Sequence, residues 1–150
     1  MIPVFAVMRE DESHNESLMH LSAKLLKSAR QNGLQLVTVE SCTGGLLSSM
    51  LTDVEGLSHI FNRALITYCD AAKTELAAVP DKLLKEHGAV SEAVAQAMAV
   101  GGRLSVGDCS CLALSITGDA GPSADVGQPG LVYVAASTPA CTATPRPPPT

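Results

Sequence analysis

The chain of 150 residues is 46% hydrophobic with a formal net charge of -5, enough for one domain that buries about two thirds of its unfolded surface. Two Phe, two Tyr and no Trp leave an aliphatic core and argue against an aromatic base-stacking surface. No Lys/Arg cluster offers a phosphate footprint and no apolar run reaches the roughly 20 residues of a membrane span, so neither nucleic acid nor a membrane is an expected partner.

The opening "MIPVFAVMRE" has no preceding positive region and runs straight into "DESHNES", unlike a secretory signal, so a cytoplasmic location is expected. Ser13 and Glu16 form a capping box ahead of Leu18, Leu21, Leu25 and Ala29, a spacing that predicts one apolar face on a helix of about 18 residues, and Gly33 is its natural stop. "LQLVTVE" (34–40) reads as a buried strand, "GGLLSSMLTD" (44–53) as a helix and "EGLSHIFNR" as a loop or short turn. "ALITY" (64–68) is the second strand; Asp70 is a candidate cap for the helix "AAKTELAAV", which Pro80 ends.

A short helix is expected at 81–86, then a longer one from Ser91-Glu92 through Arg103 with Val94, Met98 and Leu104 inward. "CLALSIT" (111–117) and "LVYVAAS" (131–137) complete the strands. Strands without strict polar alternation, interleaved with helices, predict an α/β protein, a three-layer α/β/α sandwich with a mostly parallel sheet. Residues 1–138 form the expected domain, and 139–150, with five prolines and no periodicity, a disordered tail. Cys42, Cys69, Cys109, Cys111 and Cys141, an odd number without a C-x-x-C pair, read as reduced thiols; no metal site is expected.

The unusual polar residues gather after three strands, where an open α/β sheet has its ligand crevice. They are Glu40 to Gly45, then Tyr68, Cys69, Asp70 and Lys73, then Thr117 to Pro122. Ser41 as N-cap is the ordinary reading; Ser41 as nucleophile is the functional one, with Lys73, Tyr68 or a histidine as base. Lys73 stands in the first turn of its helix, where the dipole and burial both disfavour the ammonium. Cys42 is the alternative nucleophile and Glu40 another candidate base, while His14, His20, His59 and His87 are scattered without triad-like partners. Gly44 and Gly45 offer amides at a helix start for an oxyanion or phosphate; Gly118 and Gly121 suggest a second close approach or a tight turn.

The stretches "ESCTGGLLSSMLTDVEGLSHIF", "RALITYCDAAKTELAAV", "GAVSEAVAQAMA" and "SITGDAGP…QPGLVYVA" resemble the C-terminal domain of CinA, the competence/damage-inducible protein family, whose stand-alone members are nicotinamide mononucleotide deamidases. The resemblance runs in order from about Leu18 to Ala136. It implies that Ser41 attacks the carboxamide of nicotinamide mononucleotide, that Lys73 activates the hydroxyl and that Tyr68 assists. Thr43, Gly44, Gly45, Thr117, Gly118 and Gly121 are then substrate-binding positions. It implies no metal or organic cofactor and a homodimer. The family's Y-S-N-x-x-K is "YCDAAK" here, so Asp70 adds a charge that favours the Lys73 ammonium. The segment after T-G-x-A-G-P is "SADVGQPG", without the family's paired glycines and lysine. The family continues with a further strand and helix, which this chain is expected to lack. The alternative function is a non-catalytic nucleotide-binding module, a relative that keeps the pocket without turnover.

Overall fold

A computed structural model describes residues 14–107, 110–119, 121 and 129–139. In chain order the elements are α1 (His14–Gln31), β1 (Gln35–Glu40), α2 (Leu46–Thr52), a 3-10 turn (Ser58–Ile60), β2 (Phe61–Ile66), α3 (Asp70–Ala77), α4 (Asp81–His87), α5 (Glu92–Leu104), β3 (Cys111–Gly118) and β4 (Val132–Ser137). The sheet order is β2-β1-β3-β4, with β1 parallel to both β2 and β3, and β4 antiparallel at the edge. The expected α/β architecture is therefore present.

Alternation along β1 divides the core in two. Leu36 packs with Leu26 and Ala29 of α1, Leu51 of α2, Leu57 and Ile60. Val39, on the opposite face, packs with Ala77, Val79, Leu84, Val94 and Met98 of the α3–α5 layer. Successive side chains of a strand point to opposite faces, so six residues serve two layers. The crossover from β1 to β2 carries α2 and that from β2 to β3 carries α3–α5, each on its own face. The carboxyl end of β1 is thereby the switch point of the sheet, the place where open α/β sheets bind their ligands.

Several local expectations need correction. Of the expected face of α1, Ala29 is buried and Leu25 packs against the core, but Leu21 is 48% exposed and Ser22 and Leu26 are the other buried residues, Leu26 packing with Leu36 and Leu51. Strand β2 starts at Phe61 and ends at Ile66, so Tyr68 lies beyond it. The N-cap of α3 is Cys69, and no side chain caps it; Asp70 is the first helical residue, beside the positive helix end without capping it. Leu104, 60% exposed, ends α5 facing out. Ser91 does cap α5, its hydroxyl accepting from the Val94 amide at 3.3 Å. The capping box at Ser13 and the tail from Ala140 lie outside the described residues.

Two glycines set the position of α3. A Cβ on Gly101 of α5 would stand 1.6 Å from the Ala77 carbonyl oxygen, and one on Gly102 would stand 2.3 Å from Val39 Cγ2. Only hydrogen there lets α5 lie against both the end of α3 and the sheet. At that end Ala78 adopts φ 51°, and the amides of Ala78 and Val79 both reach back to the Lys73 carbonyl. The helix that bears Lys73 is thus fixed from its carboxyl end.

Candidate active site

Glu40 closes β1 and Ser41 follows it, so alternation sends the two side chains to opposite layers. Ser41, 6% exposed, faces α3, where Lys73 is 1% exposed. Lys73 Nζ lies 3.2 Å from Ser41 Oγ, and donates to the Thr67 carbonyl at 2.9 Å and the Tyr68 carbonyl at 3.4 Å. The Ser41 amide donates to Ile116 O of β3 at 3.0 Å, and the Thr67 amide to Glu40 O at 2.7 Å. All three parallel strands therefore contribute to one point.

Burial lowers the Lys73 pKa from the ordinary lysine value, against opposing interactions with Asp70 first and then with Cys69 and Cys42. Nζ has three oxygen partners, which an ammonium satisfies with its three N–H groups; a neutral amine keeps two of these bonds and has a lone pair for the Ser41 proton.

Glu40 is fully buried. Its carboxylate accepts from Thr43 Oγ1 at 2.7 Å and from the amides of Gly45, Leu47 and Ser48 at 3.1, 3.0 and 2.9 Å, and from the Ser48 hydroxyl. Burial alone would raise its pKa, but the hydroxyls of Ser48 and Thr43 and the amides of Ser48 and Leu47 outweigh it, and the pKa falls below the ordinary value. An enclosed carboxylate with every lone pair engaged takes no proton from a substrate, so the reading of Glu40 as a general base is corrected. Its carboxylate caps α2, a role expected of Ser41.

The amides of Gly44 and Gly45, expected to be open, are taken by Ser41 O at 3.1 Å and by Glu40. Both glycines are needed for their positive φ of 58° and 107°, which turn the chain into α2. The amides of Cys42 and Thr43 remain directed at the Cys42 sulfur, a weak acceptor, whose own pKa burial raises despite them. Gly118 is closely packed by the chain itself: a Cβ there would stand 2.9 Å from Leu131 O and 3.1 Å from Cys42 Sγ.

Other expected residues are placed differently. The Tyr68 ring is 75% exposed, and its carbonyl is what reaches Lys73. The Thr43 hydroxyl is held by Glu40, and the Thr117 hydroxyl donates to Ala89 O at 2.9 Å. Among the described residues, a Cβ on Gly121 would have nothing within 4 Å. His20, His59 and His87 are exposed and bond to neither Ser41 nor Lys73. Among the described residues no cluster of three or more His, Cys, Asp or Glu is placed to hold a metal, and no helix is long and apolar enough to cross a membrane. Sequence reasoning missed Thr67 and Ser48. Thr67 was hidden inside the expected strand, and nothing in "LLSSM" marks which serine turns inward.

Residues 18–146 match the family model described as CinA C-terminal domain. The chain belongs to the CinA C-terminal domain family. A CinA-like protein of Citrifermentans bemidjiense is 46% identical over 124 residues, covering 80% of this chain and 29% of that protein. A CinA-like protein of Geobacter sulfurreducens is 50% identical over 108 residues, covering 71% of this chain and 26% of that protein. The chain thus spans less than a third of these curated relatives. Among solved structures, the competence/damage inducible protein CihA from Agrobacterium tumefaciens superposes with a TM-score of 0.74 at 29% identity, covering 89% of this chain and 78% of that one. The competence damage-inducible protein A (ComA) from Klebsiella pneumoniae gives 0.73 at 31% identity, covering 81% and 75%.

Proposed function

We propose that this CinA-family domain is a cytoplasmic amidohydrolase of the nicotinamide mononucleotide deamidase type. Ser41 is its nucleophile and Lys73 the base. The observation that carries the reading is the contact between a buried Lys73 amine and Ser41 Oγ at 3.2 Å, with the lysine pKa lowered by burial. A serine hydroxyl needs such a base, and a desolvated lysine is one of the few side chains able to act as one.

In this scheme Ser41 Oγ bonds to the carboxamide carbon as its proton passes to Lys73 Nζ. The oxygen that gains charge lies toward the Cys42 and Thr43 amides, which have only a weak sulfur acceptor to give up. Collapse breaks the C–N bond, and the Lys73 proton leaves with the nitrogen as ammonia. Water, deprotonated by Lys73, then cleaves the ester, releasing nicotinic acid mononucleotide and returning the proton to Ser41. Tyr68, exposed and joined to Lys73 through its carbonyl, assists in this scheme by meeting the substrate rather than the nucleophile. Thr43, Gly44, Gly45, Thr117, Gly118 and Gly121 serve the substrate by shaping the walls, and the scheme calls for no metal or cofactor. We also propose that the chain self-associates beside β4.

The observation that favours the second reading, a nucleotide-binding module without turnover, is Asp70, whose charge works against a neutral Lys73. Ammonia release from nicotinamide mononucleotide, measured beside calorimetric binding, decides between them. Ammonia above the Ser41→Ala background supports the enzyme, binding without ammonia selects the module, and neither overturns both.

A further inference from the structure

We infer that Glu40 is a positioning residue that holds the nucleophile and its base in register, through the loop on its side chain and the strand end on its carbonyl. This rests on the Ser41–Lys73 reading above. A buried carboxylate is costly unless compensated, and among the described residues no cation does so here. The compensation comes from five donors, two of which, Thr43 Oγ1 and the Gly45 amide, belong to the loop that carries Ser41. The other three, from Leu47 and Ser48, belong to α2. The carboxylate therefore clamps the loop onto the helix.

The backbone of the same residue reaches the base. Glu40 O accepts from the Thr67 amide at 2.7 Å and from Thr67 Oγ1 at 3.3 Å, and Thr67 O accepts from Lys73 Nζ at 2.9 Å. One route from Glu40 runs along the chain to Ser41, and the other runs through Thr67 to the amine that must meet Ser41. Loosening the carboxylate tilts the first route against the second. Glutamine is isosteric but places an N–H₂ among N–H and O–H donors, so it both removes the charge and sets donor against donor.

The test is Glu40→Gln, with Ser91→Ala as a control that removes the α5 cap and costs stability, about 1 kcal/mol, at a hydroxyl that bonds to Gly88 and Val94 and not to Glu40, Ser41 or Lys73. Three quantities are read: melting temperature, ammonia release, and the titration of Lys73 followed by NMR of ¹³C-labelled lysine, in which Asp70, Cys69 and Cys42 are the charged or titratable neighbours. Glu40→Gln is expected to lower kcat about 10²-fold with KM changed far less, and to move the Lys73 midpoint up by about one pH unit as the contact opens to water. Ser91→Ala is expected to lower the melting temperature alone. A Glu40→Gln protein that melts earlier but keeps the Lys73 midpoint overturns the inference.

If the wild type releases no ammonia, the deamidase reading fails while the Lys73 titration still decides the role of Glu40. If Glu40→Gln does not fold, Thr43→Val and Ser48→Ala each withdraw one donor. The first loosens the Ser41 loop and is expected to shift Lys73; the second acts within α2 and is expected not to. The reverse order, or no shift in either, also overturns it.

Discussion

Lys73 has the length of an ordinary surface lysine, and only its surroundings make it a base. Replacing it with Met, an unbranched side chain of similar reach, removes a costly buried amine while keeping the packing. Lys73→Met is therefore expected to melt at or above the wild-type temperature and to lose about 10²–10⁴-fold in ammonia release; retained activity would remove Lys73 from the mechanism. The pH profile carries the same logic. Only the neutral amine takes the serine proton, so kcat/KM should rise with pH along a limb whose midpoint lies below the ordinary lysine value, since burial lowers it. A limb at the ordinary value would mean that the amine titrates in water. Ser41→Ala should abolish activity with the fold intact, whereas Cys42→Ala, removing a thiol whose pKa burial raises, should leave turnover in place. Inactive Cys42→Ala with active Ser41→Ala would reverse the assignment. The residues alone marked Ser41 as a strand-end serine, with capping its ordinary reading, and Lys73 as a lysine in a helix's first turn. It was the resemblance to the CinA family that joined them as nucleophile and base, and their 3.2 Å contact fits that expectation. The place of Glu40 was not legible in the sequence, because its five donors come from residues three to eight positions on, and their convergence exists only after the loop has turned through Gly44 and Gly45.

At the scale of elements, the order and type of helices and strands followed from apolar pattern and punctuation, and the misplacements have a common origin in tertiary contact. Phe61 to Arg63 looked like loop, yet they lie in β2 because β1 supplies a parallel edge from Leu36 onward. Leu21 looked inward, yet α1 turns Leu26 to the core instead. The pair Gly101-Gly102 carried no sequence signal beyond weak helix propensity, although it determines how near α5 comes to α3. Gly101→Ala forces a methyl into the Ala77 carbonyl, and the expected cost of such overpacking is about 1–3 kcal/mol. Because Ala77 belongs to the helix of Lys73, the strain should also reach the site. A shift of about 1 Å at a reacting group costs about 10²-fold in rate. Gly101→Ala is expected to lower both the melting temperature and the turnover of the remaining folded enzyme. A normal rate in a destabilised protein would show that α5 yields and α3 does not move.

For the whole molecule, the two faces of the sheet are unequally covered. On the α5 side, Cys111, Ala113, Ser115 and Thr117 of β3 are all buried. On the α1–α2 side their neighbours Leu112, Leu114 and Ile116 are half-buried, and so are Val134 and Ala136 of β4, which pair with Ile116 and Leu114. Val132, at the start of the same strand, is 41% exposed. These side chains form an apolar stripe next to a strand with one unpaired edge among the described residues, and a stripe beside an open edge favours association with another chain. The expected outcome is a dimer or larger assembly in light scattering at micromolar concentration. Val134→Lys places a charge in the middle of the stripe and on the edge strand, and should return the protein to a monomer that keeps its helix content. A wild-type monomer would mean that the chain covers the stripe with its own residues, and Val134→Lys should then destabilise the fold instead of separating copies.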